Sequence, residues 1–202
     1  MNARDVAIVK DLERFRCLSR DDIAELHFTN VKNAINEANK VLLRLRRDGV
    51  IGVSKERRKY IYFPDRSIKK DSSKIGHFLA IAEFYREIRK HEAPTMFEVE
   101  PKLGSKGLPE PDVFTTWKRT PFFVEIQNSR FSSSVMQAKM KRYEAYYASG
   151  IWEQASWQPP QGKKLFPFVW IIGEGRYDVG KPSFKVLQGT VEQIISMYKK
   201  TQ

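Results

Sequence analysis

The sequence contains a single cysteine, Cys17, among 202 residues. One thiol excludes a disulfide framework or a cysteine zinc site within one chain. No apolar run approaches the roughly 20 residues that a membrane-spanning helix needs. The N-terminus lacks the basic and then apolar order of a signal peptide, and we find no internal repeat, glycine-rich phosphate loop or nucleophilic serine motif. These absences predict a cytoplasmic protein that does not enter a membrane.

Basic residues, by contrast, are abundant and widely spread. The chain has 36 Lys and Arg against 24 Asp and Glu, a formal net charge of +12. Nucleic acid is therefore the first partner to expect, ahead of an anionic membrane surface. The length suits one or two small domains. We predict two, residues 1–66 and residues 74–202, with a linker at residues 64–73 that is polar, contains Pro64 and shows no periodicity.

The first domain shows helical periodicity three times and then strand patterns twice. The predicted helices cover residues 5–15, a segment capped by Ser19 that ends near Phe28, and a segment capped by Thr29 or Asn30 that ends at Asp48-Gly49. The predicted strands cover residues 50–54 and 59–63, with a basic turn between them. Three helices followed by a basic-tipped hairpin is the order of a winged helix-turn-helix domain.

The third helix and the hairpin turn carry the residues that we predict to bind double-stranded DNA. Asn side chains pair with adenine edges and Lys with guanine or phosphate, while a basic turn lies along phosphates. The predicted DNA-binding residues are Lys32, Asn33, Asn36, Lys40, Arg44, Arg57, Arg58 and Lys59. Two alternatives remain open, a helical domain whose polar face is only solvated and one that forms a homodimer.

The second domain is organised around a predicted β-hairpin at residues 110–127, in which the polar segment Lys118 to Pro121 is the predicted turn. Side chains alternate along a strand, so Glu125 shares a face with Phe123 and Gln127, and Asp112 can lie across from it on the other strand. Two carboxylates in a partly dry cleft repel each other unless a cation lies between them, and a divalent ion is the usual solution. Glu98 or Glu100, on the preceding predicted strand, is a candidate third carboxylate.

Further elements surround this hairpin. A helix at residues 75–89 and a strand at 95–100 precede it, and a helix at 135–149 follows it. An apolar run at residues 166–173 has little alternation, which suits a strand buried on both faces. Val186-Leu187 and a final helix at residues 191–198 complete the chain. The predicted class is therefore mixed α/β, of the α+β type.

The hairpin resembles the core of PD-(D/E)XK nucleases, with Pro111-Asp112, twelve residues, and then Glu125-Ile126-Gln127. Gln127 stands where that superfamily has lysine. The resemblance implies a restriction-endonuclease-like αβββαβ domain in which Asp112 and Glu125 hold Mg²⁺ or Mn²⁺, aided by Glu98 or Glu100 and the Ile126 carbonyl. It also implies that Lys139, on the following helix, takes the place of the missing lysine, and that Gln127 orients water.

Short motifs along most of the chain, in a fixed order, carry a second resemblance. They are Leu18 to Leu26, Leu42 to Val50, Lys59 to Tyr62, Glu110 to Phe114, Phe122 to Ile126 and Lys139 to Tyr143. By these motifs the chain is similar to the replication-relaxation family of plasmids and mobile elements. The resemblance implies a winged-helix protein with a nuclease-like second domain that acts on DNA in replication or relaxation, beside replication or relaxase proteins. A metal-dependent endonuclease and an inactive accessory factor or repressor both fit.

Overall fold

A computed structural model describes residues 1–55, 59–64, 73–104, 107–128, 132–173 and 175–199. The chain divides into two compact units, Met1–Arg86 and Glu87–Gln202. Helices and two sheets confirm the predicted mixed α+β class. The domain limits 1–66 and 74–202 stay a prediction, because most of the expected linker, residues 65–72, lies outside the described residues.

The first unit begins with three helices, of which the second has the cap expected from sequence. The Ser19 hydroxyl accepts the backbone N–H of Asp22, and the Asp22 carboxylate accepts the backbone N–H of Ser19. This reciprocal pair satisfies two of the donors that a helix start leaves without partners. The helices are α1 (Ala3–Phe15), α2 (Arg20–His27) and α3 (Ala34–Arg47).

A three-stranded antiparallel sheet completes this unit. Its strands are β1 (Leu18–Ser19), β2 (Ile51–Ser54) and β3 (Ile61–Pro64), in the spatial order β1-β3-β2. The pair β2 and β3 was predicted, whereas β1 was not, because two residues are too short to show alternation. The buried residues that join helices and sheet include Ile8, Leu12, Phe15, Leu18, Ile23, Leu42, Leu45 and Ile61.

Helix α3 begins later than the sequence predicted. Asn33, not Thr29 or Asn30, is its cap, since the Asn33 side chain accepts the backbone N–H of Asn36 at 3.1 Å. An asparagine that bonds the backbone three residues ahead fixes a helix start at that point. The expected start at Thr29 or Asn30 is therefore wrong.

The second unit is built on a five-stranded sheet in the order β4-β5-β6-β7-β8. Strands β4 to β6 are antiparallel, while β6 to β8 are parallel. A long helix, α4, precedes the sheet along the chain, and its residues 75–86 belong to the first unit. Helix α5 connects β6 towards β7. The elements are α4 (Ile75–His91), β4 (Met96–Val99), β5 (Val113–Trp117), β6 (Thr120–Ile126), α5 (Ser133–Ser149), a 3-10 helix (Ile151–Gln154), β7 (Phe168–Ile172), β8 (Val186–Gln188) and α6 (Val191–Lys199).

The hairpin turn is tighter than the expected Lys118 to Pro121. Lys118 and Arg119 both have positive φ, 48° and 61°, and Thr120 already pairs with Trp117. Two central residues with positive φ match the right-handed twist of the flanking strands. This turn fixes the register in which β5 and β6 meet.

One face of the sheet carries a core that α5 covers. Phe114 and Phe123 are paired across β5 and β6, and their ring centroids lie 5.6 Å apart. The buried α5 residues Met136, Met140, Tyr143 and Tyr146 belong to the same core. No helix within the described residues is long and apolar enough to cross a membrane.

Candidate functional site

The hairpin brings Asp112 and Glu125 together on the face of the sheet that α5 covers. Asp112 lies one residue before the Val113–Val124 pair, so the register places it across from Glu125. Strand alternation gives both side chains the face of Phe114 and Phe123. The Asp112 carboxylate accepts the backbone N–H of Ile126 at 2.6 Å, which ties the start of β5 to the end of β6.

Glu125 is almost fully buried, with 1% of its surface exposed. Its Oε1 accepts a hydrogen bond from the Tyr143 hydroxyl at 2.8 Å, and its Oε2 accepts one from Lys139 Nζ. Both donors come from α5, one turn apart, so the helix delivers a cation and a hydroxyl to one carboxylate. The structure therefore brings together three predicted residues, Asp112, Glu125 and Lys139.

Burial controls the protonation of this carboxylate. It raises the pKa of Glu125 to about 7, with the charge of Asp112 acting in the same direction, while Lys139 and the Tyr143 hydroxyl oppose the rise. Burial also raises the pKa of Tyr143 well above its usual value. Tyr143 consequently stays a neutral donor across the physiological range.

Glu98 lies outside this cluster. It is exposed on β4, where it pairs with Phe114. Glu100 lies nearer, since its backbone N–H donates to the Asp112 carbonyl at 2.9 Å. In the part of the chain that the structure describes, no group of three or more His, Cys, Asp or Glu could hold a metal ion. Within the described ranges, the lysine Lys139 bonds Glu125 of the acidic pair, and no third carboxylate completes a metal-binding group.

The donor set nevertheless fits a small hard cation. Mg²⁺ is commonly bound by one or two carboxylates plus water and substrate phosphate, with no need for a complete protein cage. Asp112 and Glu125 offer two carboxylates on one face of the sheet, and their mutual repulsion adds to the raised pKa of Glu125. A cation between them would relieve that repulsion.

Gln127 occupies a different environment from the one expected of a lysine substitute. Its Oε1 accepts a hydrogen bond from the Tyr177 hydroxyl, and its backbone N–H donates to Ile172 at 3.0 Å. The side chain of Gln188 makes two hydrogen bonds to the backbone of Tyr177. Gln188 Oε1 accepts the Tyr177 N–H at 2.7 Å, and Gln188 Nε2 donates to the Tyr177 carbonyl at 3.0 Å. Gln127 therefore anchors the chain between β7 and β8.

Sequence reasoning gave neither Tyr143 nor Tyr177 a part in the site. Tyr143 lies four residues after Lys139, so helical spacing was a signal that both reach one carboxylate. No comparable signal marks Tyr177, because it lies in a loop whose path depends on distant contacts.

In the first unit, α3 presents a polar and basic surface. Asn36, Lys40, Leu43 and Arg47 are exposed at helical spacing and form what we call the outward stripe of α3. Lys32, just before the helix, is also exposed. Lys40 pairs with Glu37 at 2.7 Å, an exposed contact that costs little to exchange for phosphate.

Three predicted DNA-binding residues are engaged within the protein. Asn33 caps α3, as described above. Arg44 Nη2 lies 2.7 Å from Asp5 Oδ1, joining α3 to α1, and Asp5 is buried. Lys59 Nζ lies 3.3 Å from Asp21. Arg57 and Arg58 lie outside the described residues.

Comparison with known families gives one match, and it spans both units. Residues 53–159, more than half of the chain, match the replication-relaxation family. The protein belongs to the replication-relaxation family. The matched segment runs from β2 through α5, so it includes Asp112, Glu125 and Lys139 and leaves out α1 to α3. Membership indicates a role in the replication of plasmids or mobile elements. No curated protein and no solved structure matches the chain.

Proposed function

We propose that this replication-relaxation protein binds double-stranded DNA through its first unit and cuts DNA at a metal-dependent site in its second unit. The observation that carries the proposal is the convergence of Asp112, Glu125 and Lys139 on one face of the sheet. Acidic residues that hold a cation, beside a lysine, are what phosphodiester hydrolysis requires.

The order of elements from α4 to β7 supports a PD-(D/E)XK assignment. Along the chain, α4, three antiparallel strands, a helix and a parallel strand follow one another, and most of α4, residues 75–86, is counted with the first unit. This is the αβββαβ order expected of that nuclease core. The acidic residues lie at the start of β5 and near the end of β6, the positions that the superfamily motif gives them.

The first unit supports a winged helix-turn-helix assignment. Three helices precede an antiparallel hairpin, and β1 adds a third strand beside β3. In such domains the third helix enters the major groove and the hairpin lies along phosphates. The outward stripe of α3 supplies two cations and an amide for these contacts.

Each residue at the proposed cleavage site has a distinct task. Bound Mg²⁺ or Mn²⁺ would supply an activated water and offset charge on the scissile phosphate. Asp112 and Glu125 would hold that ion, and Lys139 would bring positive charge to the phosphate when it leaves Glu125. Tyr143 keeps the Glu125 carboxylate oriented through its 2.8 Å hydrogen bond. Gln127 supports the neighbouring loop through its Oε1, which accepts the Tyr177 hydroxyl.

The test is a cleavage assay on supercoiled, linear and single-stranded DNA with Mg²⁺ or Mn²⁺. We expect the wild-type protein to cut, and the isosteric double variant Asp112→Asn/Glu125→Gln to lose cutting while it keeps DNA binding. A matched control replaces two exposed carboxylates of the same unit, Glu153→Gln/Glu192→Gln, and should cut like the wild type. Equal cutting by all three proteins would reject the site.

A second candidate function is an accessory factor or repressor that keeps the nuclease fold without cleavage. Gln127 favours it, because the motif position that normally holds lysine is committed to Tyr177. In that case wild type and the Asp112→Asn/Glu125→Gln variant bind DNA equally and neither cuts it. We expect replication or relaxase proteins as partners under either function.

A further inference from the structure

Leu43 is a large apolar side chain in the middle of the outward stripe of α3. Its exposed fraction is 60%, although neighbouring Leu42 and Leu45 are fully buried. The buried side of α3 is thus complete without it. Lys40 lies three residues before it and Arg47 four residues after it, which places a cation on either side along one helix face.

Isolated exposed leucines are common and by themselves indicate nothing. The surroundings of Leu43 are what distinguish it, because they are cationic and amide-bearing. Lys32, Lys40, Arg46 and Arg47 are all exposed on or beside α3. A partner that covers Leu43 must accept these positive charges within the same contact, so a polyanion fits better than an apolar protein surface.

The DNA major groove offers both an anionic surface for these cations and an apolar group for Leu43. Phosphates line its edges, and the C5-methyl group of thymine is the apolar group that a base pair presents there. We propose that Leu43 contacts a thymine methyl group in the major groove and so determines specificity at that base pair. Asn36, two turns earlier on the stripe, faces another base of the site, while Lys40 and Arg47 contact phosphate. This inference rests on the proposed DNA binding by α3.

The experiment removes the methyl group from the DNA. A preferred duplex is first selected from a random library with the full-length protein, and each thymine is then replaced singly with uracil, which lacks the C5-methyl group. We expect wild-type affinity to fall about four-fold at one or two positions, the loss that corresponds to one buried methyl group. Because the change is in the DNA, this comparison does not depend on the folding of a variant.

Two variants link the effect to Leu43. Leu43→Ala should bind the thymine and uracil duplexes equally, while Leu165→Ala, which shortens an exposed leucine of the other unit, should keep the wild-type preference. Loss of the preference in Leu43→Ala with retention in Leu165→Ala supports the proposal.

Other outcomes overturn it. Wild-type protein that binds the selected duplex but ignores every uracil replacement has no methyl contact, which rejects the inference and leaves DNA binding intact. A dimer that dissociates on Leu43→Ala substitution, seen by sedimentation, assigns the residue to a second copy of the chain. Failure of the wild-type protein to bind any duplex rejects the proposed DNA binding and, with it, this inference.

Discussion

The ammonium group of Lys139 on α5 donates a hydrogen bond to the carboxylate of Glu125 on β6. The helix thus supplies a lysine to the site. Gln127, the residue after β6, stands where the PD-(D/E)XK motif has lysine. The same carboxylate accepts a hydrogen bond from the Tyr143 hydroxyl, so α5 influences both the charge and the orientation of Glu125. This relationship connects the sequence of one helix to the chemistry proposed for the sheet.

Glu125 should make the stability of the protein depend on pH. Its pKa is raised from 4.5 to about 7, so between these values the unfolded chain has lost the proton that the native protein keeps. Stability therefore falls as pH rises through this window, by about 3 kcal/mol at most. Urea unfolding at several pH values should show this fall in the wild type and in Glu153→Gln, and a much smaller one in Glu125→Gln. Identical pH profiles for all three would contradict the assignment.

Tyr143 should stabilise the native protein through its bond to Glu125. Tyr143→Phe leaves one oxygen of a buried carboxylate without its hydroxyl donor, which should lower the free energy of unfolding by about 1–3 kcal/mol. Tyr146→Phe is the control, because Tyr146 is buried on the same helix and does not bond Glu125. The two variants are compared by urea unfolding near pH 8, where Glu125 is ionised. Equal losses would show that the hydroxyl bond is unimportant.

Arg44 should act in folding and not in DNA binding. Its hydrogen bond is the main cause of the lowered pKa of Asp5, and Arg44→Met leaves that buried carboxylate without its cation. Since 37% of the Arg44 side chain is exposed, solvent screening keeps the expected loss of stability small. DNA affinity, measured where the variant is folded, should match that of the wild type. A large loss of affinity with unchanged stability would reverse this assignment.

Lys40 should contact phosphate. Lys40→Ala is expected to weaken DNA binding across different sequences and to reduce the slope of log affinity against log salt by about 0.9. Lys10→Ala removes the same charge from an exposed position on α1 and should leave the slope unchanged. Fluorescence anisotropy at a series of salt concentrations measures both. Equal slopes for wild type and Lys40→Ala would remove Lys40 from the interface.

Local pattern was enough to predict much of the fold. Alternation along residues 123–127 placed Glu125 among buried neighbours, and the polar break before Phe122 predicted the hairpin that brings Asp112 opposite. The Ser19 cap and the apolar spacing of α5 gave helix positions close to those observed. These features depend on residues only a few positions apart, which is why they can be predicted from the sequence alone.

Contacts between distant residues were not predictable in the same way. Asp5 and Arg44 are 39 positions apart, and nothing in either local pattern shows that their helices meet. Gln127 and Tyr177 are 50 positions apart, and one of them lies in a loop. Glu98 was a candidate ligand because it precedes the motif by one strand, and it pairs with Phe114 on the face that carries Asp112, but its side chain is exposed.

The rate at which the full-length protein nicks or linearises supercoiled plasmid with Mg²⁺ or Mn²⁺ tests the central claim most directly, with Lys139→Met and Lys141→Met measured beside the wild type. Lys141 is exposed on the same helix, so its loss removes the same charge without touching Glu125. We predict that Lys141→Met cuts like the wild type, while Lys139→Met loses about 100-fold or more and still binds DNA. Equal rates for the two variants, or no cleavage by the wild type, would contradict the account.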